Sequence, residues 1–98
     1  MNSADALATL RLHERELRAR GVSHVAVFGS VARGENRADS DLDIMIDTDP
    51  AARITVFDYV GLKDYIASLF DVHVDVVSRE GLKPHLRPAA TADAVYAF

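Results

Sequence analysis

Ninety-eight residues suffice for one hydrophobic core but not for a substrate domain beside a catalytic one, so a single domain over residues 1–98 is expected. A composition of 49% hydrophobic and 27% charged residues is that of an ordinary soluble globular chain and excludes disordered, collagenous and heptad-repeat classes. Eleven basic against fifteen acidic side chains leave a net charge of -4 with no basic stripe, which argues against direct nucleic-acid binding, and the absence of cysteine removes disulfides, thiolate metal sites and cysteine nucleophiles together.

The N-terminal "MNSADALATLRLHERELRAR" is charged every few residues, so it reads as neither a signal peptide nor a membrane span, and a cytoplasmic setting is the default. Ser3 is placed to cap a helix running to about Arg20, with Ala4, Leu7, Leu10 and Leu17 along one side and Gly21 as its stop. "HVAVFG" reads as a short buried strand, "SVARG" as one helical turn and "ENRADS" as a polar loop. In "LDIMID", Leu42, Ile44 and Ile46 alternate with Asp43, Met45 and Asp47, which predicts a strand with one apolar and one acidic face.

Asp49 and Pro50 are expected to open a helix over roughly 51–69, with Val56, Tyr59, Val60, Ile66, Leu69 and Phe70 at helical spacing. "VHVDVV" predicts a third strand. Pro84 and Pro88 punctuate the tail, with one short helical turn before the first and another from Ala89 to Val95. This order predicts a small α/β (α+β) fold, a mixed sheet covered by helices.

Residues two apart on a strand project to one face, so Asp41 and Asp43 present paired carboxylates, and Asp75 offers a third from a neighbouring strand. Three carboxylates without cysteine suit a hard, oxygen-seeking divalent ion such as magnesium, which shares its shell with phosphate oxygens. Gly29 permits close backbone approach to a phosphate, Ser30 adds a hydroxyl, and Arg33, one turn on, a cation. Ser40 precedes the first aspartate and is a candidate for the nucleotide side of the site as well as for capping the turn into the strand. A nucleoside triphosphate site follows from these parts. A shifted register in "DVHVDVV" would put Asp71 in place of Asp75.

Gly29-Ser30, ten intervening residues and Asp41-Leu42-Asp43 resemble the signature of the DNA polymerase beta-type nucleotidyltransferase superfamily. The fuller "GSVARGE" with "SDLDIMID", the strand "VDVV" and the tail "GLKPHLRP" followed by "DAVYAF" are most similar to the minimal nucleotidyltransferases, the antitoxins paired with HEPN-domain ribonuclease toxins. The resemblance implies the polymerase beta-type fold. It also implies that Gly29 and Ser30 bind the triphosphate of ATP, that Asp41 and Asp43 hold two magnesium ions, and that Asp75 completes the metal site and helps activate the attacking hydroxyl. The activity it implies is transfer of AMP to a tyrosine of the toxin.

Two rival readings remain open on sequence alone: a non-catalytic antitoxin acting by occlusion, and a small-molecule nucleotidyltransferase of the aminoglycoside-modifying kind. Among the remaining residues, Asp47 reads as solvated or loop-capping, and His73 as a structural residue that shares the face of Asp75. His13, His24 and His85 lack metal-ligand spacing, and Tyr96 and Phe98 read as packing residues.

Overall fold

The computed structural model describes residues 1–37, 39–81, 85 and 87–98. Helices α1 (Ser3–Leu12) and α2 (Glu14–Ala19) lead into strand β1 (Val22–Phe28), the short helix α3 (Gly29–Arg33) and strand β2 (Leu42–Thr48). A 3-10 turn at Pro50–Ala52, helix α4 (Val56–Ser68), strand β3 (Val74–Ser78), a second 3-10 turn at Arg79–Gly81, helix α5 (Arg87–Asp93) and strand β4 (Val95–Tyr96) complete the chain. The four strands form one mixed sheet in the order β3-β2-β1-β4. β1 is antiparallel to both β2 and β4, and β2 is parallel to β3.

The leading helix differs from expectation at both ends of its first half. Asn2, not Ser3, is the cap, its side chain accepting from the Asp5 N–H at 2.8 Å. The helix then breaks at His13, whose Nδ1–H donates to the Thr9 carbonyl at 2.8 Å. That carbonyl is the acceptor the His13 N–H needs to continue an α-helix; the N–H turns instead to Leu10 at 3.1 Å, and the turn tightens. Both halves still feed one core, through Leu7, Leu10 and Leu17. Gly21 ends the second half with φ +97°, a left-handed backbone that favours glycine, and a Cβ there would also have to push the end of the Ile54 side chain aside.

The sheet's apolar face carries Val25, Val27, Leu42, Ile44, Ile46 and Val76 into the same core as Leu62, Ile66 and Phe70. The opposite face holds Asp43 and Asp47, as the alternation predicts, but Met45 and its register partner Ala26 are buried there too. α5 contacts α3 and β1, so the tail is packed against this part of the molecule.

The helix expected over 51–69 is two elements. Asp49 caps the 3-10 turn by accepting from the Ala51 N–H at 2.9 Å, Arg53 adopts a left-handed φ of 50°, and α4 starts afresh at a capping box. In that box Thr55 Oγ1 accepts from the Asp58 N–H and Asp58 accepts from the Thr55 N–H. The late start shifts the buried stripe: Val56 and Phe57, at 78% and 89% exposure, contribute nothing to the core, while Leu62 and Ile66 do.

The tail also departs from expectation. The helical turn expected over Ala89–Val95 is α5, ending at Asp93, after which β4 pairs with β1 at Ala26 and Val27. Arg11 fixes that segment by donating to the Ala97 carbonyl at 2.9 Å and the Tyr96 carbonyl at 3.3 Å. The turn expected before Pro84 has a described counterpart in the 3-10 turn; residues 82–84, like 38 and 86, lie outside the described residues. Among the described residues no helix is long and apolar enough to cross a membrane.

Removing the Thr55 cap by Thr55→Ala should destabilise the fold by about 1 kcal/mol. Phe57→Ala, two residues on but exposed, should stay within about 0.5 kcal/mol of wild type. Urea titrations of the two variants read the difference as a lowered midpoint in the first only.

Candidate active site

Strand β1 ends at Phe28, directly opposite Asp43 on β2. The chain then turns through Gly29, whose φ is +73°, into α3. A Cβ at Gly29 would collide with the Asp43 carboxylate, so this glycine is required by handedness and by the side chain pressed against it. Ser30 follows, partly buried, with a hydroxyl that makes no hydrogen bond to another described residue.

The parallel pairing of β2 with β3 puts Asp43 and Asp75 in register, so it is Asp75 and not Asp71 that shares a row with Asp43. Asp41 lies just before β2, half exposed, with its Oδ1 3.2 Å from His73 Nδ1. The His73 carbonyl meanwhile accepts from the Leu42 N–H at 2.9 Å, which ties the entrances of the two strands together. His73 was expected beside Asp75; the partner it takes is Asp41.

Asp43 is half-buried where Asp41 and Asp75 are exposed. Burial holds its carboxyl above the ordinary aspartate range, the negative charges of Asp75 and Asp41 push it further up, and Arg33 pulls it back. It makes no hydrogen bond or ion pair with another described residue. Across the strand, burial likewise raises the Tyr59 hydroxyl's pKa, opposed by a hydrogen bond from the Ser78 backbone and reinforced by Asp75. Tyr59 lies on α4, partly buried against the apolar core.

Arg33 is engaged: its Nε donates to Glu35 at 2.9 Å and its Nη1 to Asp93 at 2.6 Å, and these bonds raise its pKa, Glu35 foremost. Ser40 closes the loop ahead of Asp41, its Oγ accepting from the Arg37 N–H at 2.8 Å. Asp47 is paired at 3.9 Å with Arg79, away from the carboxylate row. Sequence reasoning missed Asp93, which reaches Arg33 only by tertiary packing. Glu35 was within reach, as an acid two residues from Arg33.

The donor set is all oxygen, and the least solvated member ionises against its neighbours, an arrangement a hard divalent cation would relieve. Among the described residues no three acidic or imidazole side chains are grouped closely enough to hold a metal ion by themselves. An open face of this kind fits magnesium arriving with phosphate oxygens rather than an ion caged by protein alone. A cavity of about 530 Å³ lies at the opposite end of β2, between Arg20, Gly21, Asp49 and Phe57.

A Gly-Ser turn facing a row of aspartates across a small mixed sheet defines a nucleotide-handling α/β protein. The chain belongs to the nucleotidyltransferase domain family, whose model matches residues 10–97. It is 36% identical over 88 residues to the protein adenylyltransferase MntA of Thermococcus cleftensis, a match spanning 89% of this chain and 87% of that one. A solved structure of a proposed minimal nucleotidyltransferase superposes with a TM-score of 0.71 at 39% identity, over 97% of this chain and 95% of the other. The same fold recurs in the complex of a tri-AMPylated HEPN toxin from Shewanella oneidensis with its MNT antitoxin, at a TM-score of 0.64 and 18% identity over 94% of this chain and 71% of that one.

The raised pKa of Asp43 gives a sign for stability. A carboxyl harder to ionise in the fold than in the unfolded chain contributes stability below its ordinary value of about 3.8 and loses it as pH rises through the raised folded value. Metal-free Asp43→Asn should therefore be more stable than wild type near neutral pH, with the gap closing on acidification below the ordinary aspartate range. Denaturation midpoints across that range check it, and a gap independent of pH would count against the assigned strain.

Proposed function

We propose that the chain is a magnesium-dependent protein adenylyltransferase that transfers AMP from ATP to a tyrosine hydroxyl of a HEPN ribonuclease toxin, and so serves as its antitoxin in the cytoplasm. The observation that carries this reading is the register of Asp43 with Asp75, with Asp41 ahead of them and Gly29-Ser30 against them. The relative named as a protein adenylyltransferase and the fold shared with an antitoxin bound to an AMPylated toxin support the acceptor class.

In this reading the free Ser30 hydroxyl and the backbone N–H groups of the turn at Gly29 hold the triphosphate. Asp41, Asp43 and Asp75 are the residues that would hold two magnesium ions, which supply charge neutralisation to the triphosphate and to the entering and leaving oxygens. The acceptor hydroxyl attacks the α-phosphorus in line. A bond forms from its oxygen to phosphorus, the bond from the α-phosphorus to the bridging oxygen breaks, and pyrophosphate departs with that oxygen. Asp75, the most exposed partner of the in-register pair, is placed to help draw off the hydroxyl proton. Positioning and charge neutralisation carry the barrier reduction, and no enzyme nucleophile is used.

Incubation of this chain with the protein encoded beside it, ATP and magnesium should add mass to that protein in whole AMP units. The Asp41→Ala, Asp43→Ala double variant should reduce the gain to background, as should a chelator, with magnesium restoring the wild type. Transfer that persists in the double variant sinks the reading; protection of cells by that variant without transfer favours occlusion.

A further inference from the structure

The tail helix α5 reaches the proposed triphosphate site through one side chain. Arg33 lies on α3 three residues after Ser30 and four after Gly29, spacings that put all three on one side of the helix. Its charge acts on Asp43, the residue pressed against Gly29. The guanidinium is nevertheless fixed from the other side: Glu35 takes the Nε–H and Asp93, sixty residues on, takes an Nη1–H at 2.6 Å. Asp93 is the better shielded of the two acids, with its side chain 27% exposed against 67% for Glu35.

A guanidinium is a rigid planar fork of N–H donors. With Nε and one Nη1 hydrogen committed to the two acids, the second Nη1 hydrogen and both on Nη2 remain for an anion. A long, flexible side chain that meets a phosphate unrestrained must first lose its rotamer freedom; one already held by two carboxylates has lost it in folding. We propose that Asp93 is a positioning residue that pre-orders Arg33 to receive the triphosphate, so that the packing of α5 on α3 sets affinity for the nucleotide. This rests on the reading that Gly29-Ser30 is where the triphosphate binds. It adds that the tail, far in sequence from the Gly-Ser and aspartate motif, takes part in holding substrate.

The test is ATP affinity by calorimetry in magnesium, together with the Arg33 Nε–H signal in a nitrogen-15 spectrum, for wild type, Asp93→Asn and Asp93→Glu. Asn keeps the shape of Asp but removes the charge, and the same spectrum reports whether the variant is folded. Asp93→Asn should weaken ATP binding about 3- to 10-fold, the scale of the rotamer freedom regained, and speed exchange of the Nε–H. Asp93→Glu, which keeps the carboxylate, should recover part of both. Unchanged or tighter ATP binding in Asp93→Asn overturns the proposal, tighter binding meaning that Asp93 competes with phosphate for Arg33. A wild-type chain that fails to bind ATP overturns the reading of the site itself, and the inference with it.

Discussion

The contact between the Gly29 backbone and the Asp43 carboxylate governs much of the molecule. It exists because Phe28 and Asp43 are paired at the end of the β1–β2 ladder, which brings the turn after β1 against the side chain that starts β2. Any side chain at position 29 would have to displace that carboxylate and adopt a left-handed backbone as well. The turn therefore stays bare, and next to it the Ser30 hydroxyl makes no hydrogen bond to another described residue. A structural requirement and an opening for phosphate are met by the same missing Cβ.

That contact also has an electrostatic cost. Packing against Gly29 takes Asp43 partly out of water, and the parallel register of β3 then sets Asp75 beside it. Like charges on adjacent strands weaken a sheet pair. The apolar face of the same strands offsets this, since Leu42, Ile44, Ile46 and Val76 are all buried in the common core. The strands are thus held together on one face while the other keeps an unpaired charge in a strained ionisation state. Such a division is what a site needs if a cation is to bind where it is most wanted, and Arg33 moderates the strain in the meantime.

Much of this was legible in the residues. β1 and β2 show themselves by a continuous apolar run and by strict alternation, whereas the choice of Asp75 over Asp71 as the partner of Asp43 needed the register of β3 with β2. What escaped depends on competition between hydrogen-bond partners or on packing between distant segments. A histidine ring that takes the Thr9 carbonyl breaks a helix whose apolar spacing looks continuous. Asp49 and Thr55 both cap, so one expected helix becomes a 3-10 turn and a later helix. β4 has two residues, too few for any periodicity, and is held by its pairing with β1 and by Arg11. Asp93 has no local pattern tying it to Arg33; only the path of α5 does.

Asp41 and Asp75 are exposed and Asp43 half-buried, and a cavity of about 530 Å³ lies at the far end of β2. An open row can neutralise a triphosphate and orient its α-phosphorus, but it offers few surfaces to fix a second substrate. A small acceptor would gain little binding energy there, whereas a folded acceptor brings its own surface and presents its hydroxyl already positioned. The entropy of placing that hydroxyl is then met by docking two proteins, not by enclosing a ligand. On the proposed function, specificity would then lie in the match between two surfaces, and the chemistry of the row could stay the same while the acceptor changes.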